Sequence, residues 1–533
     1  MNRRSCWSCG RCRMRCPAER LQPAAAAVVA AVEDSVANCS LGSAVMSGVP
    51  VSIRDSPCPV GFLDCGDLEG RRFVSDSRDV RRGDIFVALR GRQTDGHQWA
   101  AAAVELGAAG LIVEQPLPEL AVPQAIVLST RQVWSWLALA QEGFPQRDLR
   151  CSGLTGTNGK STVAWLLRGM LRQSGVRTGL IGTIEYHDGQ ETRPAGLTTP
   201  DPPVLARLLR QMRQAGTTDC VMEISSHALE QQRCSSLQLA VAAITNVTHD
   251  HLDYHGTFEN YLQAKLQIAA LLHPEAPLLV GFDDVALRAA VQQFKDVRVL
   301  GFGFGAECPF SVSIEEAGAD GQRLRLKLQS GELSVSTSLP GRHNALNILL
   351  AAGMAEVLGL GTEQIRAGVE QSGSVPGRFE RIDSSQPFQV YVDYAHTPDG
   401  IRRVIEAARE MCGNRVLVVF GAGGERDREK RPLMAAAATL ADEVIVTSDN
   451  ARSESPAAIV DEICSGFPVG RQVQRVLDRE AAIRTALQSA ASGDVVLILG
   501  RGHEQTQWIG TRQIAFDDRR VTTRLLRELS SKH

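Results

Sequence analysis

The stretch Gly153-Leu154-Thr155-Gly156-Thr157-Asn158-Gly159-Lys160-Ser161-Thr162 decides how this chain is read. The small and apolar residues from Cys151 to Thr155 predict a strand leading in. Val163, Leu166, Leu167, Met170 and Leu171 recur at helical spacing and predict a helix leading out. Glycines between them let backbone N–H groups turn inward around an anion, and the helix N-terminus adds its dipole. Lys160 can reach the β- and γ-phosphates of a nucleotide, and the Ser161 hydroxyl can ligate Mg²⁺. The generic phosphate-loop pattern would place glycine where Leu154 stands, so the stretch is the Gly-Thr-Asn-Gly-Lys-Ser variant. A glycine-rich turn with a solvated lysine is the alternative. Strand before, helix after and the Lys-Ser pair favour a nucleoside triphosphate site.

Composition sets the frame around this loop. At 533 residues the chain is long enough for several domains with complete cores. Hydrophobic residues at 44% and charged residues at 22% are ordinary globular values. A net charge of −3 argues for neither a nucleic-acid nor a membrane partner. The 13 cysteines are odd in number, and those beyond Cys65 lie singly in core-like segments. That suits a reducing cytosol, with thiols serving as small hydrophobes. No apolar run approaches the about 20 residues that a membrane helix needs.

Residues 1–46 differ from the rest. Cys6, Cys9, Cys12 and Cys16 lie among arginines, followed by the apolar run Ala24–Val32. The spacing suits zinc, the basic-then-apolar order imitates a signal peptide, and a start near Met46 would make the segment a disordered or misannotated extension. The last reading is favoured, because no second Cys/His cluster supports a zinc fold and an exported ATP enzyme would lack ATP. Residues 47–147 predict a small α/β domain, with strands at Phe73–Val74, Asp84–Leu89 and Gly110–Glu114 and a helix at Trp99–Leu106. Its polar loops hold Ser75-Asp76-Ser77-Arg78 and Arg92-Gln93-Thr94-Asp95. They suit a ligand site, although Asp-Ser-Arg and Asp-Gly-His are also common turn chemistry.

Residues 148–378 predict a central, mostly parallel α/β domain that opens with the phosphate loop. The strand Asp219–Ile224 brings Glu223 to its C-terminal end. The strand Ala240–Asn246 leads into Thr248-His249-Asp250-His251. Strand C-termini of doubly wound sheets face the ligand crevice, so Lys160, Ser161, Glu223 and His251 should converge. Glu223 with the Ser161 hydroxyl is a plausible oxygen set for Mg²⁺, and helix capping is its alternative. His251 is a less usual ligand for a hard cation and also reads as a satisfied loop histidine. Residues 379–533 alternate strands and helices and predict a Rossmann-like third domain. Its polar loops are Asp393–His396, Gly421–Asp427, Ser448–Arg452 and Gly500–Glu504. The short glycine cluster at 421–424 is weak evidence for a dinucleotide.

These loops together resemble the Mur ligases. The resemblance rests on Gly156–Lys160, Glu223 with Ser225–Leu229, Asp250–His255, Leu339–Asn347, Gly377–Glu380 and Asp393–Pro398, in that order from about residue 70 to the C-terminus. It implies cytoplasmic, ATP-dependent amide ligases of peptidoglycan precursor assembly, with UDP-binding, ATP-binding and amino-acid-binding domains. Asp449–Arg452 and Gly500–Glu504 resemble the branch that extends UDP-N-acetylmuramoyl-L-alanyl-D-glutamate. In that branch ATP phosphorylates a substrate carboxylate, and an amine then attacks the acyl phosphate. Water must be excluded, which implies domain closure about Ser374–Glu380.

The resemblance also implies roles. Gly156, Thr157, Asn158, Gly159, Lys160, Ser161 and Thr162 would bind ATP, with His343, Asn344, Asn347, Arg378 and Asp393. Ser161, Glu223, His251 and Lys265 would hold Mg²⁺, the lysine as a CO₂-derived carbamate; Lys160, Glu223, His251 and Lys265 would be catalytic. Ser75, Ser77, Arg92, Gln93, Thr94, Thr198, Thr199, Ser225, Gln231 and Arg233 would hold the UDP-sugar dipeptide. Arg426, Asp449, Asn450, Ala451, Arg452, Gly500 and Glu504 would take meso-diaminopimelate. A monomer is expected. L-lysine as the added amino acid and a folylpolyglutamate synthetase-like reaction are the alternatives. Leu197 departs from the family's Asn, Arg501 from its Lys, and Ala451 from its Pro. Losing that proline should loosen the loop carrying Arg452. For the N-terminal segment, sequencing of the native protein should find a start near Met46. An intact first peptide that retains zinc after dialysis would show the opposite.

Overall fold

A computed structural model describes residues 59–63 and 71–531 except 92, 93 and 319. The cysteine-rich segment 1–46 and the pair Arg92-Gln93 therefore lie outside the described residues. The chain divides into two compact units between Leu137 and Ala138.

The first unit is a five-stranded sheet in the order Pro59–Leu63, Gln124–Val127, Gly110–Val113, Ile85–Val87, Phe73–Val74. Only the first pairing is antiparallel. Successive strand residues point to opposite faces, and both faces are apolar. Phe73, Ile85, Val87 and Ile112 pack with Val133, Trp134 and Leu137, whereas Val74, Phe86, Leu111 and Val113 pack with Ala100 and Ala103.

The second unit holds the larger sheet, of eleven strands. Seven consecutive strands, from Phe310–Gly318 to Thr178–Ile181, pair in parallel, and antiparallel strands extend both edges. Arg150–Thr155 runs through the middle, between Asp219–Glu223 and Leu239–Ile244. The helices Lys160–Gln173, Arg342–Val357 and Thr362–Glu370 bury one face, and Pro202–Gln214 and Phe258–Leu266 the other. The edge strands Gly321–Leu328 and Gly331–Thr337 are an addition to the parallel sheet expected from sequence.

A six-stranded sheet completes this unit, ordered Glu380–Arg381, Gln389–Asp393, Val495–Leu499, Val416–Phe420, Glu443–Val446, Gln474–Arg475. All pairings after the first are parallel. Helices cover both faces, as the β-α alternation predicts. A two-stranded ribbon, Thr506–Ile509 with Arg512–Ala515, follows. Among the described residues every cysteine is a free thiol, and no helix is long and apolar enough to cross a membrane.

Candidate active site

The phosphate loop leaves the central strand through two left-handed glycines. Gly156 has φ 142° and Gly159 φ 90°. A Cβ at Gly156 would collide with the Thr245 side chain, and one at Gly159 with the Asn347 amide. The helix Lys160–Gln173 begins without a side-chain cap, which leaves its first N–H groups available to an anion. Lys160 Nζ folds back to donate to Gly156 O (2.8 Å) and Thr157 O (2.9 Å). Burial lowers its pKa, and Glu223 and Asp250 oppose that shift.

Glu223 ends the neighbouring strand and is 2% exposed. Its carboxylate accepts from Ser161 Oγ (3.0 Å), Thr183 N (2.9 Å) and Thr183 Oγ1 (2.8 Å). It does not cap the next helix. Ser225 does that, its Oγ accepting from Ala228 N at 3.1 Å. Arg378 Nη2 donates to Ser161 Oγ at 2.9 Å, and its buried Nη1 finds no hydrogen-bond partner among the described residues. A half-buried guanidinium with a spare buried donor beside a phosphate loop is built to receive an anion.

His251 follows the third strand, Leu239–Ile244, with a left-handed φ of 55°. Burial, opposed by Asp250, pushes its pKa down to about 3, so the imidazole is neutral and its lone pair available. Lys265 is 2% exposed and does not reach the cavity surface; Nζ donates to Gly156 O at 2.8 Å, sharing that acceptor with Lys160. Burial and then Lys160 hold its pKa well below the ordinary lysine value.

Lys160, Ser161, Glu223, His251 and Arg378 face one cavity of about 360 Å³. His343, Asn344 and Asn347 line it from the helix Arg342–Val357, and Asp393 from the six-stranded sheet. Asn347 donates to Asn344 Oδ1 (3.2 Å), and Asp393 accepts from Phe379 N (2.6 Å) and Ala395 N (2.7 Å). An adjoining cavity of about 270 Å³ shares His343, Asn347 and Arg403 and adds Thr245 and Phe302, a setting for a flat ring.

The opposite wall carries Arg426, Asp449, Asn450, Arg452, Gly500 and Glu504. Asn450 donates to Glu504 Oε2 (2.8 Å), and its Oδ1 accepts from Arg501 (3.2 Å) and Trp508 N (2.9 Å). Burial and Asp449 push the Glu504 pKa up to about 7. Ala451 is buried behind this wall, and Arg452 after it takes φ 51°. Arg452 N donates to Trp508 O (3.4 Å), and its guanidinium donates to Gly424 O. The ribbon and the glycine turn thus hold Arg452 from outside the loop, a restraint that replacing proline by alanine leaves intact.

Three family models match the chain in order: Mur ligase family, catalytic domain, over 73–143; Mur ligase middle domain, over 154–355; and Mur ligase, glutamate ligase domain, over 377–502. A Bacillus velezensis protein named UDP-N-acetylmuramoyl-L-alanyl-D-glutamate--2,6-diaminopimelate ligase is 39% identical over 464 residues, 86% of this chain and 94% of the relative. The chain belongs to the Mur ligase family. A Gloeobacter violaceus protein of the same name is 40% identical over 480 residues, covering 87% and 96%. A solved structure titled with that name has a TM-score of 0.61 at 29% identity, covering 88% of this chain and 97% of the other. Mycobacterium tuberculosis folylpolyglutamate synthase shares the fold, with a TM-score of 0.59 at 22% identity over 75% and 94% of the two chains.

In this Mur ligase Thr198 and Ser225 also line the main cavity. Thr199, Gln231 and Arg233 stand behind it in one chain of bonds. Arg233 donates to Gln231 Oε1 (3.0 Å) and Thr199 O (2.9 Å), and Thr199 Oγ1 to Glu223 O (2.9 Å). Ser75, Ser77 and Thr94 belong to the first unit, where Ser77 opens a short 3₁₀ turn and Thr94 O closes a turn with Gly91 N (2.9 Å). Sequence reasoning missed Thr183, Asp427, Lys430 and Asp399, whose Oδ2 accepts from Asn158 Nδ2 at 3.1 Å. Thr183 follows the apolar run Gly179–Gly182, and that placement at a strand end was its only signal. Removing its hydroxyl by Thr183→Val should lower ATP turnover about ten- to hundredfold, the loss typical when a hydrogen bond that orients a site carboxylate is removed. Steady-state phosphate release with saturating substrates checks this; unchanged turnover would mean that the Thr183 hydroxyl does not orient Glu223.

Proposed function

We propose that this protein joins meso-diaminopimelate to the D-glutamate carboxylate of UDP-N-acetylmuramoyl-L-alanyl-D-glutamate at the expense of ATP, in peptidoglycan precursor synthesis. It would act as a monomer in the cytoplasm. The observation that carries the reading is the single cavity in which the phosphate loop and Glu223 face Arg426, Asp449, Arg452 and Glu504. The names of the relatives point the same way.

Lys160, the helix N–H groups and Arg378 would hold the nucleotide phosphates. The substrate carboxylate would enter beside Thr198 and Ser225, attack the γ-phosphorus and displace ADP. The amine would then attack the acyl phosphate and release phosphate. Ser161 and Glu223 fit Mg²⁺, being a buried hydroxyl and carboxylate that open onto the cavity. Neutral His251 suits a second such ion. Mg²⁺ bound there would neutralise charge on the transferring phosphoryl group. Lys265 fits carbamylation, because burial favours the neutral amine, the form that adds CO₂. The test of the whole reading is ADP release that requires both the UDP-dipeptide and the amino acid and does not occur with folate.

Lys265→Ala should nearly abolish turnover, and formate, supplying a small carboxylate, should restore part of it. Full activity of the alanine variant in CO₂-free buffer would contradict the carbamate.

Substrate choice follows from charge. Diaminopimelate ends in a carboxylate and an ammonium, and the wall offers Arg452 and Arg426 for the first and Asp449 and Glu504 for the second. A guanidinium grips a carboxylate through two parallel hydrogen bonds. Lysine would leave Arg452 unpaired, at a cost of about 1–3 kcal/mol. Meso-diaminopimelate should therefore be preferred about tenfold or more, and Arg452→Ala should erode most of that preference. Competition between the two amino acids at equal low concentration measures it; equal use by the unaltered enzyme would refute the assignment and leave the ligase reading standing.

A further inference from the structure

Two loops that line the cavity from different sheets meet in two crossed contacts, one a lysine–carboxylate ion pair and the other a histidine–carboxylate hydrogen bond. The loop after Leu239–Ile244 carries His249 and Asp250; the turn before the helix Lys430–Ala438 carries Asp427, and Lys430 opens that helix. His249 Nε2 lies 3.1 Å from Asp427 Oδ2, and Lys430 Nζ lies 3.1 Å from Asp250 Oδ1. Asp250, Asp427 and Lys430 are only 3%, 5% and 7% exposed. Asp427 Oδ1 also accepts from Lys430 N at 3.3 Å, which braces the turn. Asp250 Oδ2 stands 3.4 Å from His251 Nε2. The pairs therefore lie between His251, on the phosphate side, and Arg426, which precedes Asp427 on the amine side. A buried ion pair is costly to desolvate and is weak evidence for stability; fixing register is its best-attested use.

We infer that Lys430–Asp250, seconded by Asp427–His249, is a latch that sets the amine-holding loop in register with the phosphate loop, so that the acyl phosphate meets the amine before it meets water. This rests on the ligase reading. Lys430 is a positioning residue. In the coupled reaction the amine nitrogen bonds to the acyl carbon while the carbon–oxygen bond to phosphate breaks, and the surplus proton on nitrogen passes to solvent. With the loops out of register a water oxygen takes the nitrogen's place. The same bond breaks, the carboxylate returns, and one ATP is consumed without an amide.

The test measures phosphate and amide product in the same reaction, with ATP, the UDP-dipeptide and meso-diaminopimelate. The unaltered enzyme should release about one phosphate per amide, and Lys430→Met about three or more, with the KM for ATP within about twofold. The ratio does not depend on how much of the protein is folded. Asp250→Asn/Lys430→Met leaves no unpaired buried charge, so it should keep a normal melting temperature and still release excess phosphate, while Lys430→Arg should recouple. A ratio of about one in both methionine variants overturns the latch. So does a parallel loss of phosphate and amide with a raised KM for ATP, which would make Lys430 a phosphate contact. No amide from the unaltered enzyme would overturn the ligase reading, and the latch with it.

Discussion

The site depends on the parallel pairing of the central strand with its two neighbours. Leu154 lies opposite Glu223 on one side, and Thr155 opposite Ile244 on the other. Parallel strands all end at one edge of the sheet, so their three following loops have no choice but to share a crevice. The packing beneath is tight. A Cβ at Gly153 would strike Leu239, and one at Gly182 the Glu223 side chain. Such density leaves little room for the register to slip, and a slip would carry Glu223 away from Ser161.

The crevice gathers more buried charge than a merely stable fold would keep. Lys160 and Arg378 share it with Glu223, Asp250 and Asp393, and Lys265 is buried behind the phosphate loop. Lys160 and Lys265 lean on one carbonyl, that of Gly156, and burial depresses the basicity of both. Burial likewise raises the pKa of Asp393, which Arg378 and two backbone N–H groups oppose. Each group is held by backbone, hydroxyl or charged partners, so the side chains stand in place before any ligand arrives. That is preorganisation: the reorganisation which water would otherwise have to perform is completed during folding.

Legibility from sequence followed the range of the interactions. The phosphate loop could be read because glycines, lysine and serine lie within ten residues of one another. The strand end at Glu223 and the loop that carries His251 could be read because apolar runs stop there in polar residues. Thr183 could not, since a lone threonine after a strand has no pattern of its own. Nor could the contacts of Asp427 and Lys430, whose partners lie 178 and 180 residues away. The helix Thr130–Gln141 went unread for a related reason. Its first residue, Thr130, is held by a side chain 16 residues earlier, with both N and Oγ1 donating to Glu114 at 3.0 Å. The strand Gly321–Leu328 also went unread, although Leu324, Leu326 and Leu328 alternate there with Arg323, Arg325 and Lys327.

The antiparallel additions at the two sheet margins have a consequence for behaviour in a crowded solution. A long parallel sheet that ended in bare backbone would be a template for strands from other chains. Here one margin is the three-residue strand Thr192–Pro194, short and closed by a residue without an N–H. The other is Gly331–Thr337, where Glu370 already takes up the N–H of Ser336 at 3.3 Å. The strand beside it shows solvent a row of two arginines and a lysine, the arginines tied to Glu315, Glu316 and Glu332. Both margins are thus poor seeds for fibrous association, and an eleven-stranded sheet can remain dispersed at high concentration.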